Sequence, residues 1–292
     1  MSETSTDAAA GASTGAGGQP RRLAVLGSPI AHSKSPTLHR AAYDRLGLAD
    51  WTYERAEVGE GGLGAFLDGL GPEWRGLSLT MPLKPEALAI ADEVERLAER
   101  AGAVNTLLLA DDGRRLGFNT DIGGIVRALA DAGVSAIRHG VLVGGGATAA
   151  SALIAMAELG AASVEVCVRD AARAASVVDL GHALGLVIEV RPIARLAEPT
   201  PADLVVSTLP GGTDLGVAPS DELVGAPLLD VAYAPWPTAF AATWLERGGR
   251  VAHGLDMLVH QALLQVRIFV NGDPLAALPD EEGVLDVMRR SV

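Results

Sequence analysis

The chain has 292 residues, enough for two compact units that share an interface. Acidic residues outnumber basic ones 36 to 23, so the overall field at a formal charge of −13 repels nucleic-acid phosphates and anionic lipid and argues against nucleic acid as a partner. An anionic ligand would have to be drawn in by a few placed Lys or Arg side chains and by backbone amides.

Residues 1–20 are mostly Ser, Thr, Ala and Gly, with no basic start and no continuous apolar stretch, and read as a flexible tail and not as a signal peptide. Nothing downstream is long and apolar enough to span a bilayer, so a cytoplasmic protein with no membrane partner is expected. A lone cysteine, Cys167, cannot form an internal disulfide and sits in an apolar run. Paired Cys/His spacing is lacking, so no metal is expected.

In chain order, residues 22–27 read as a strand and 36–46 as a helix, with Ser35 available as its N-cap and Pro36 at its first position. A strand over 51–58, a helix over 63–70 and a strand over 76–80 continue the alternation. Residues 84–100, rich in Ala, Leu, Glu and Arg, are expected to be one helix. Strands over 103–109 and 115–118 flank the turn Asp111-Asp112-Gly113, and a helix over 122–132 leads out of the first unit.

A second start follows: a strand over 140–143, a helix around 149–159 closed by Gly160, and a strand over 164–168. Strands over 186–190, 204–207 and 227–231 and a long helix over 257–269 complete the pattern. The expected fold class is α/β in two domains. One is an N-terminal α/β unit whose boundary lies near Asp121. The other is a Rossmann-like doubly wound dinucleotide-binding domain, residues 122–254.

Strand residues 141–143 run into Gly144-Gly145-Gly146-Ala147-Thr148 and then a helix. Glycines there let the backbone approach a pyrophosphate, and the helix N-terminus offers free N–H groups. A glycine run is often only a tight turn, but the strand before it and the helix and second strand after it favour a dinucleotide. The second strand ends at Val168-Arg169-Asp170-Ala171-Ala172-Arg173, where arginines suit a 2′-phosphate and an acidic residue suits a ribose hydroxyl. Arg169 and Arg173 favour NADP(H), while Asp170 points the other way.

Hydroxyls and a histidine crowd the loop 27–36 at the end of the first strand. Lys84 lies just past a strand exit, Asn105 interrupts an apolar strand, and Asp121 closes Asn119-Thr120-Asp121. Taken singly, these read as a solvated Lys, an edge-strand Asn and a helix N-cap. Together they lie near element ends of one small domain, where they could converge on a polyol.

These segments resemble shikimate dehydrogenases: GSPIAHSKSPTLH (27–39), LTMPLK (79–84), GAVNT (102–106), NTDIGG (119–124), VGGGATA (143–149) and GLDMLVHQA (254–262). The resemblance implies NADPH-dependent, reversible reduction of 3-dehydroshikimate to shikimate in chorismate and aromatic amino-acid biosynthesis, with an N-terminal α/β substrate domain of mixed sheet made of residues 21–121 and completed by the C-terminal residues 255–292; a monomer or homodimer is expected. By similarity, Ser33 and Ser35 would hold the substrate carboxylate, and Thr80, Lys84, Asn105, Asp121 and Gln261 would surround the ring hydroxyls, with Tyr233 nearby. Lys84 and Asp121 form the implied catalytic pair, with Lys84 as proton donor or as electrostatic anchor. The implied cofactor set is Gly144, Gly145, Gly146, Ala147, Thr148, Arg169, Arg173, Ser207, Thr208, Val231, Gly254 and Met257. Three positions depart from the pattern. Ser78 stands where many relatives have Asn, Asp256 where Gly is frequent, and Val168 replaces an Asn common before the cofactor arginine. The rival readings are an NAD-dependent quinate/shikimate dehydrogenase and a catalytically silent dinucleotide-binding sensor.

Overall fold

The computed structural model describes residues 20–292, so the tail expected over residues 1–20 lies, apart from Pro20, outside the described residues. The first unit comprises β1 (Arg21–Gly27), α1 (Ser35–Arg45), β2 (Trp51–Glu57), α2 (Leu63–Asp68), β3 (Trp74–Leu79), α3 (Lys84–Ile90), β4 (Glu93–Val94), α4 (Arg96–Ala101), β5 (Thr106–Leu109) and β6 (Arg115–Phe118). Its sheet has the order β2-β1-β3-β5-β6-β4. Strands β2, β1 and β3 run parallel, whereas β5 is antiparallel to both β3 and β6, which makes the sheet mixed.

Helix α5 (Asp121–Asp131) leads into the second unit. There follow β7 (His139–Val143), α6 (Ala147–Glu158), β8 (Ser163–Val168), α7 (Ala175–Ala183), β9 (Val187–Pro192), β10 (Leu204–Ser207), α8 (Asp221–Gly225), β11 (Leu228–Asp230), α9 (Ala239–Glu246) and β12 (Val251–His253). These six strands pair in the order β12-β11-β10-β7-β8-β9, all parallel. The order reverses at β7, the point where doubly wound sheets open a ligand crevice. The chain ends with α10 (Gly254–Asn271) and α11 (Glu281–Arg290).

Period-two alternation divides the side chains of each sheet between two cores. In the first sheet Leu23, Val25 and Leu108 face α1, α10 and α11, while Ala24, Leu26, Leu77, Leu79 and Leu107 face α2 and α3. In the second, Leu142, Val166 and Val206 pack under α5 and α6, and Val141, Val143, Cys167 and Val205 pack against α8 and α9, around the buried Trp244. Cys167 is core, as expected, and burial pushes its thiol up to about 12.

Helix α10 bridges the two units. Its first turn contributes Met257 to the second-sheet core, and Val259, Ala262 and Val266 further along pack on the first sheet. It can lie this close to α5 because Gly123 and Gly124 carry no side chain. A Cβ at Gly124 would sit 2.9 Å from the Met257 carbonyl oxygen and 2.8 Å from Gln261 Cβ, and one at Gly123 2.6 Å from Leu264 Cδ1.

The helix expected over 84–100 is two helices separated by a strand. At Ala91 the backbone turns extended, Asp92 N–H donates to the Arg115 carbonyl at 2.8 Å, and the Asp92 carboxylate accepts from Arg115 N–H at 2.8 Å. Pairing of β4 with the edge of the sheet thus outweighs the helical composition of the segment. The sequence reading also assigns no element to α7, α8, α9, β12 or α11. Helix α8 has 5 residues and β12 has 3, too short to display a period. For α11 the signal is present: Val284 and Met288 are buried four residues apart, between an acidic first turn and a basic last turn.

Candidate active site

A cavity of about 260 Å³ is lined by residues from both units and from α10. Ser33, Ser35, Thr80, Lys84, Asn105, Asp121, Tyr233 and Gln261 all line it, as do Thr148, Val231, Gly254 and Met257. Sheet topology explains the convergence. Parallel β1 and β3 end side by side, and beyond them Thr80 N–H donates to the Leu26 carbonyl and Ser28 N–H to the Met81 carbonyl, each at 2.9 Å. The serine loop and the Thr80–Lys84 segment are thereby held together.

Lys84 Nζ donates to Asp121 Oδ2 at 2.6 Å, and Asn105 Nδ2 donates to Asp121 Oδ1 at 2.8 Å. The Lys84 and Asp121 side chains keep 12% and 8% of their exposure, so the pair is shielded from bulk water yet opens on the cavity. Asp121 is not the N-cap of α5. It is that helix's first residue, preceded by Thr120, and the Asn119 side chain receives its N–H at 3.0 Å, which leaves both carboxylate oxygens for Lys84 and Asn105. Asn105 lies just ahead of β5 and is 2% exposed. The Lys84 carbonyl accepts from Val104 N–H at 3.1 Å, which fixes the spacing between the ammonium and the carboxamide. An ammonium with one N–H bond used on a carboxylate retains two further donors for a ligand oxygen.

Ser35 is likewise inside its helix: Lys34 is the N-cap of α1, and Ser33 Oγ accepts from Ser35 N–H at 3.3 Å. Beneath this loop the buried His39 ring stacks on Tyr53 at 3.9 Å, and Nδ1–H donates to the Ser35 carbonyl at 2.9 Å. Its Nε2 is buried without a partner, and burial lowers the imidazole from 6.5 to about 4. The unfolded chain therefore binds the proton below pH 6.5 while the folded protein refuses it until about pH 4. Stability is fully present above the unfolded value and is lost as pH falls across that window, by about 3 kcal/mol at 1.36 kcal/mol per pH unit. Chemical denaturation between pH 7 and 4 is expected to show this loss, and His39→Phe to flatten the profile. An unchanged slope in the variant would assign the loss to other groups.

At the second unit's crevice, Gly144 has φ +122°, a conformation that L side chains rarely adopt, and an added Cβ would lie 2.3 Å from Thr208 Oγ1. Gly145 abuts the Arg173 carbonyl at 2.7 Å by the same measure, whereas a Cβ at Gly146 would meet no protein atom within 4 Å. Helix α6 starts at Ala147 with no side-chain cap, so its first amides face open space beside Gly146. These features fit a dinucleotide pyrophosphate. Arg169 and Arg173 are exposed on the segment after β8. Asp170 Oδ1 between them accepts from Ala172 N–H at 3.0 Å and caps the short 3-10 turn over Ala171–Ala174. Thr208 Oγ1 donates to the Val143 carbonyl at 3.1 Å, and Ser207 is buried against Asp230 and does not line the cavity. Val231 and Gly254 meet where α10 begins, since a Cβ on Gly254 would lie 2.4 Å from the Val231 carbonyl oxygen.

Among the cavity residues outside the set expected to bind ligand are Ser78 and Gln265. Ser78 is noticeable in the sequence only as a departure from the family pattern. Gln265 follows Gln261 by four positions and so shares its helix face, a spacing that would have revealed it.

The profile of the shikimate dehydrogenase substrate binding domain matches residues 25–107. A shikimate dehydrogenase (NADP(+)) of Thermus thermophilus is 35% identical over 275 residues, which are 93% of this chain and 98% of that protein. The crystal structure of Mycobacterium tuberculosis shikimate dehydrogenase superposes with a TM-score of 0.81 at 41% identity, covering 93% of this chain and 100% of the other. That of a Thermus thermophilus shikimate 5-dehydrogenase in complex with NADP(H) and shikimate superposes with a TM-score of 0.77 at 34% identity, covering 93% and 100%. Among the described residues no helix is long and apolar enough to cross a membrane, and no group of three His, Cys, Asp or Glu is placed to hold a metal ion. With the motif residues gathered on one cavity and relatives matched over nearly their whole length, this chain belongs to the shikimate dehydrogenase family.

Proposed function

We propose that this protein catalyses the reversible, NADPH-dependent reduction of 3-dehydroshikimate to shikimate on the route to chorismate and the aromatic amino acids. The observation that carries this reading is the shielded Lys84–Asp121 pair opening on a cavity whose other wall includes Thr148, from the first turn of the uncapped helix α6. In this reading residues 21–121 with 255–292 bind substrate and residues 122–254 bind NADP(H), in a cytoplasmic monomer or homodimer.

When bound, the nicotinamide would supply the hydride that reduces the ketone carbon. The chain's own residues do the rest. Ser33 and Ser35 hydroxyls donate to the substrate carboxylate, and Thr80, Asn105, Gln261 and Tyr233 orient the ring from the walls they line. As the carbonyl carbon becomes tetrahedral, negative charge grows on oxygen. Lys84 Nζ, held by Asp121 at 2.6 Å, neutralises it and delivers the proton that completes the alcohol. In the reverse direction the same amine takes the proton back. Gly144, Gly145, Gly146, Ala147 and Thr148 would hold the pyrophosphate in this scheme. Arg169 and Arg173 would hold the 2′-phosphate, with Val231, Gly254 and Met257, which line the cavity, completing the cofactor site; Ser207 and Thr208 do not line that cavity.

Steady-state kinetics with shikimate or quinate and NADP or NAD tests the proposal. The highest kcat/KM is expected for shikimate with NADP. A higher value for quinate with NAD would replace this reading by the catabolic one, and cofactor binding without turnover would replace it by a silent sensor.

A further inference from the structure

A chain of hydrogen bonds runs from the buried Tyr53 across the substrate wall to the catalytic pair, and its direction can be worked out link by link. Two backbone groups set it. Thr120 N–H can only donate, and it donates to Asn105 Oδ1 at 2.9 Å, so the Asn105 amide nitrogen faces Asp121. Thr106 Oγ1, 2.8 Å from Asn105 Oδ1, must therefore donate to it, and in turn accepts from Gln265 at 3.0 Å. The Asn105 carbonyl oxygen can only accept, and it lies 3.3 Å from the same Gln265 nitrogen, which independently fixes that end of Gln265 as Nε2. Gln265 Oε1 then faces Ser78 Oγ at 2.8 Å and takes its proton, and Tyr53 OH donates to Ser78 Oγ at 2.6 Å.

Sheet register places these groups together. Val25, Ser78 and Thr106 are direct neighbours across β1, β3 and β5. Ser78 and Thr106 both hydrogen-bond to Gln265 of α10, while Leu77 and Leu107 pack into the core on the opposite face. Burial raises the Tyr53 phenol above its usual range, so its hydroxyl keeps the proton it donates.

We propose that Gln265 is a specificity-determining positioning residue: by accepting the only proton of Ser78, it makes that hydroxyl an obligate acceptor toward the cavity. The Ser78 oxygen has one lone pair filled by Tyr53 and one left, so the wall at this point pairs with a hydroxyl donor on the substrate ring and repels a carbonyl or ether oxygen. Ser78 and Gln265 both line the cavity, and each is buried, at 3% and 2% exposure, so a mismatched group there leaves a polar atom unpaired. The inference rests on the shikimate reading of this site and adds to it the group that selects one ring hydroxyl.

The test compares shikimate with its 4-deoxy and 5-deoxy analogues in the NADP-dependent oxidation, using the full-length wild type, Gln265→Leu and Ser78→Ala. The wild type is expected to reject one analogue more strongly than the other. In both variants the kcat/KM preference for shikimate over that analogue should shrink by about 10-fold or more, carried by KM on shikimate. A general loosening of the fold would lower activity on shikimate and both analogues alike and leave their ratios in place. Wild-type ratios in Gln265→Leu would overturn the proposal. Should Gln265→Leu not fold, Ser78→Ala carries the same readout, and wild-type ratios there would overturn it equally. A wild type that does not turn over shikimate would remove the functional reading and this inference together, whereas normal turnover with unaltered ratios removes the inference alone.

Discussion

Replacing Lys84 with Met is expected to lower kcat for shikimate oxidation by about 10²–10⁴-fold, the range that loss of a positioned acid or base produces. Met keeps the length and apolar stem of the side chain and removes only the ammonium, so α3 and its contact with Val104 should persist. The effect is large because the groups next to Lys84 are engaged otherwise. Asp121 lies 2.6 Å from Lys84 Nζ and carries the opposite charge, Asn105 is committed to Asp121 and Thr120, and the serine hydroxyls belong to another wall. Because the interaction with the substrate oxygen strengthens as charge develops, kcat and kcat/KM should fall together. A variant with normal kcat and a raised KM would show instead that Lys84 only anchors the ring. Asp121→Asn, which leaves the ammonium in place without its partner carboxylate, should lie between the wild type and Lys84→Met.

The second large effect is expected on the cofactor side. Removing both arginines, in Arg169→Ala/Arg173→Ala, should lower kcat/KM for NADPH by about 10²–10³-fold and change that for NADH by less than about 3-fold. Each charge-assisted hydrogen bond to a phosphate is worth about 1.5–3 kcal/mol. Both side chains are exposed on the segment after β8, where a 2′-phosphate would arrive. The single acidic residue there is otherwise engaged: Asp170 caps the turn over Ala171–Ala174 through Ala172 N–H. An equal loss with the two cofactors would indicate that these arginines shape the crevice without reading the phosphate.

Much of the fold is legible in the residues themselves. Strand alternation, the glycine turn before α6, Gly160 with φ +90° closing that helix, and polar loops at strand ends are local features, and most lie within a residue or two of their expected place, although β5 starts at Thr106 and not at 103. Capping depends on more than local composition. Ser35 and Asp121 have the composition of N-caps, yet each sits one residue inside its helix, because the side chain is needed by the cavity and a neighbour, Ser33 or Asn119, receives its backbone N–H. The break at Ala91 has a related cause, since only the adjacent β6 provides the pairing that turns a helical composition into β4.

Periodicity, turn chemistry and motif spacing act over a few residues, so local sequence is enough for the longer periodic elements and the residue types at their ends, but not for the short α8 and β12 or the break at Ala91. Tertiary structure decided how those ends meet. Gln265 reaches Ser78 across 187 positions, and Gln261 reaches Thr120 across 141, only because α10 returns to the first sheet, fitting against α5 at Gly123 and Gly124. The direction of each hydrogen bond on that wall follows from where Thr120 N–H and the Asn105 carbonyl are held, a matter of packing that no local pattern encodes.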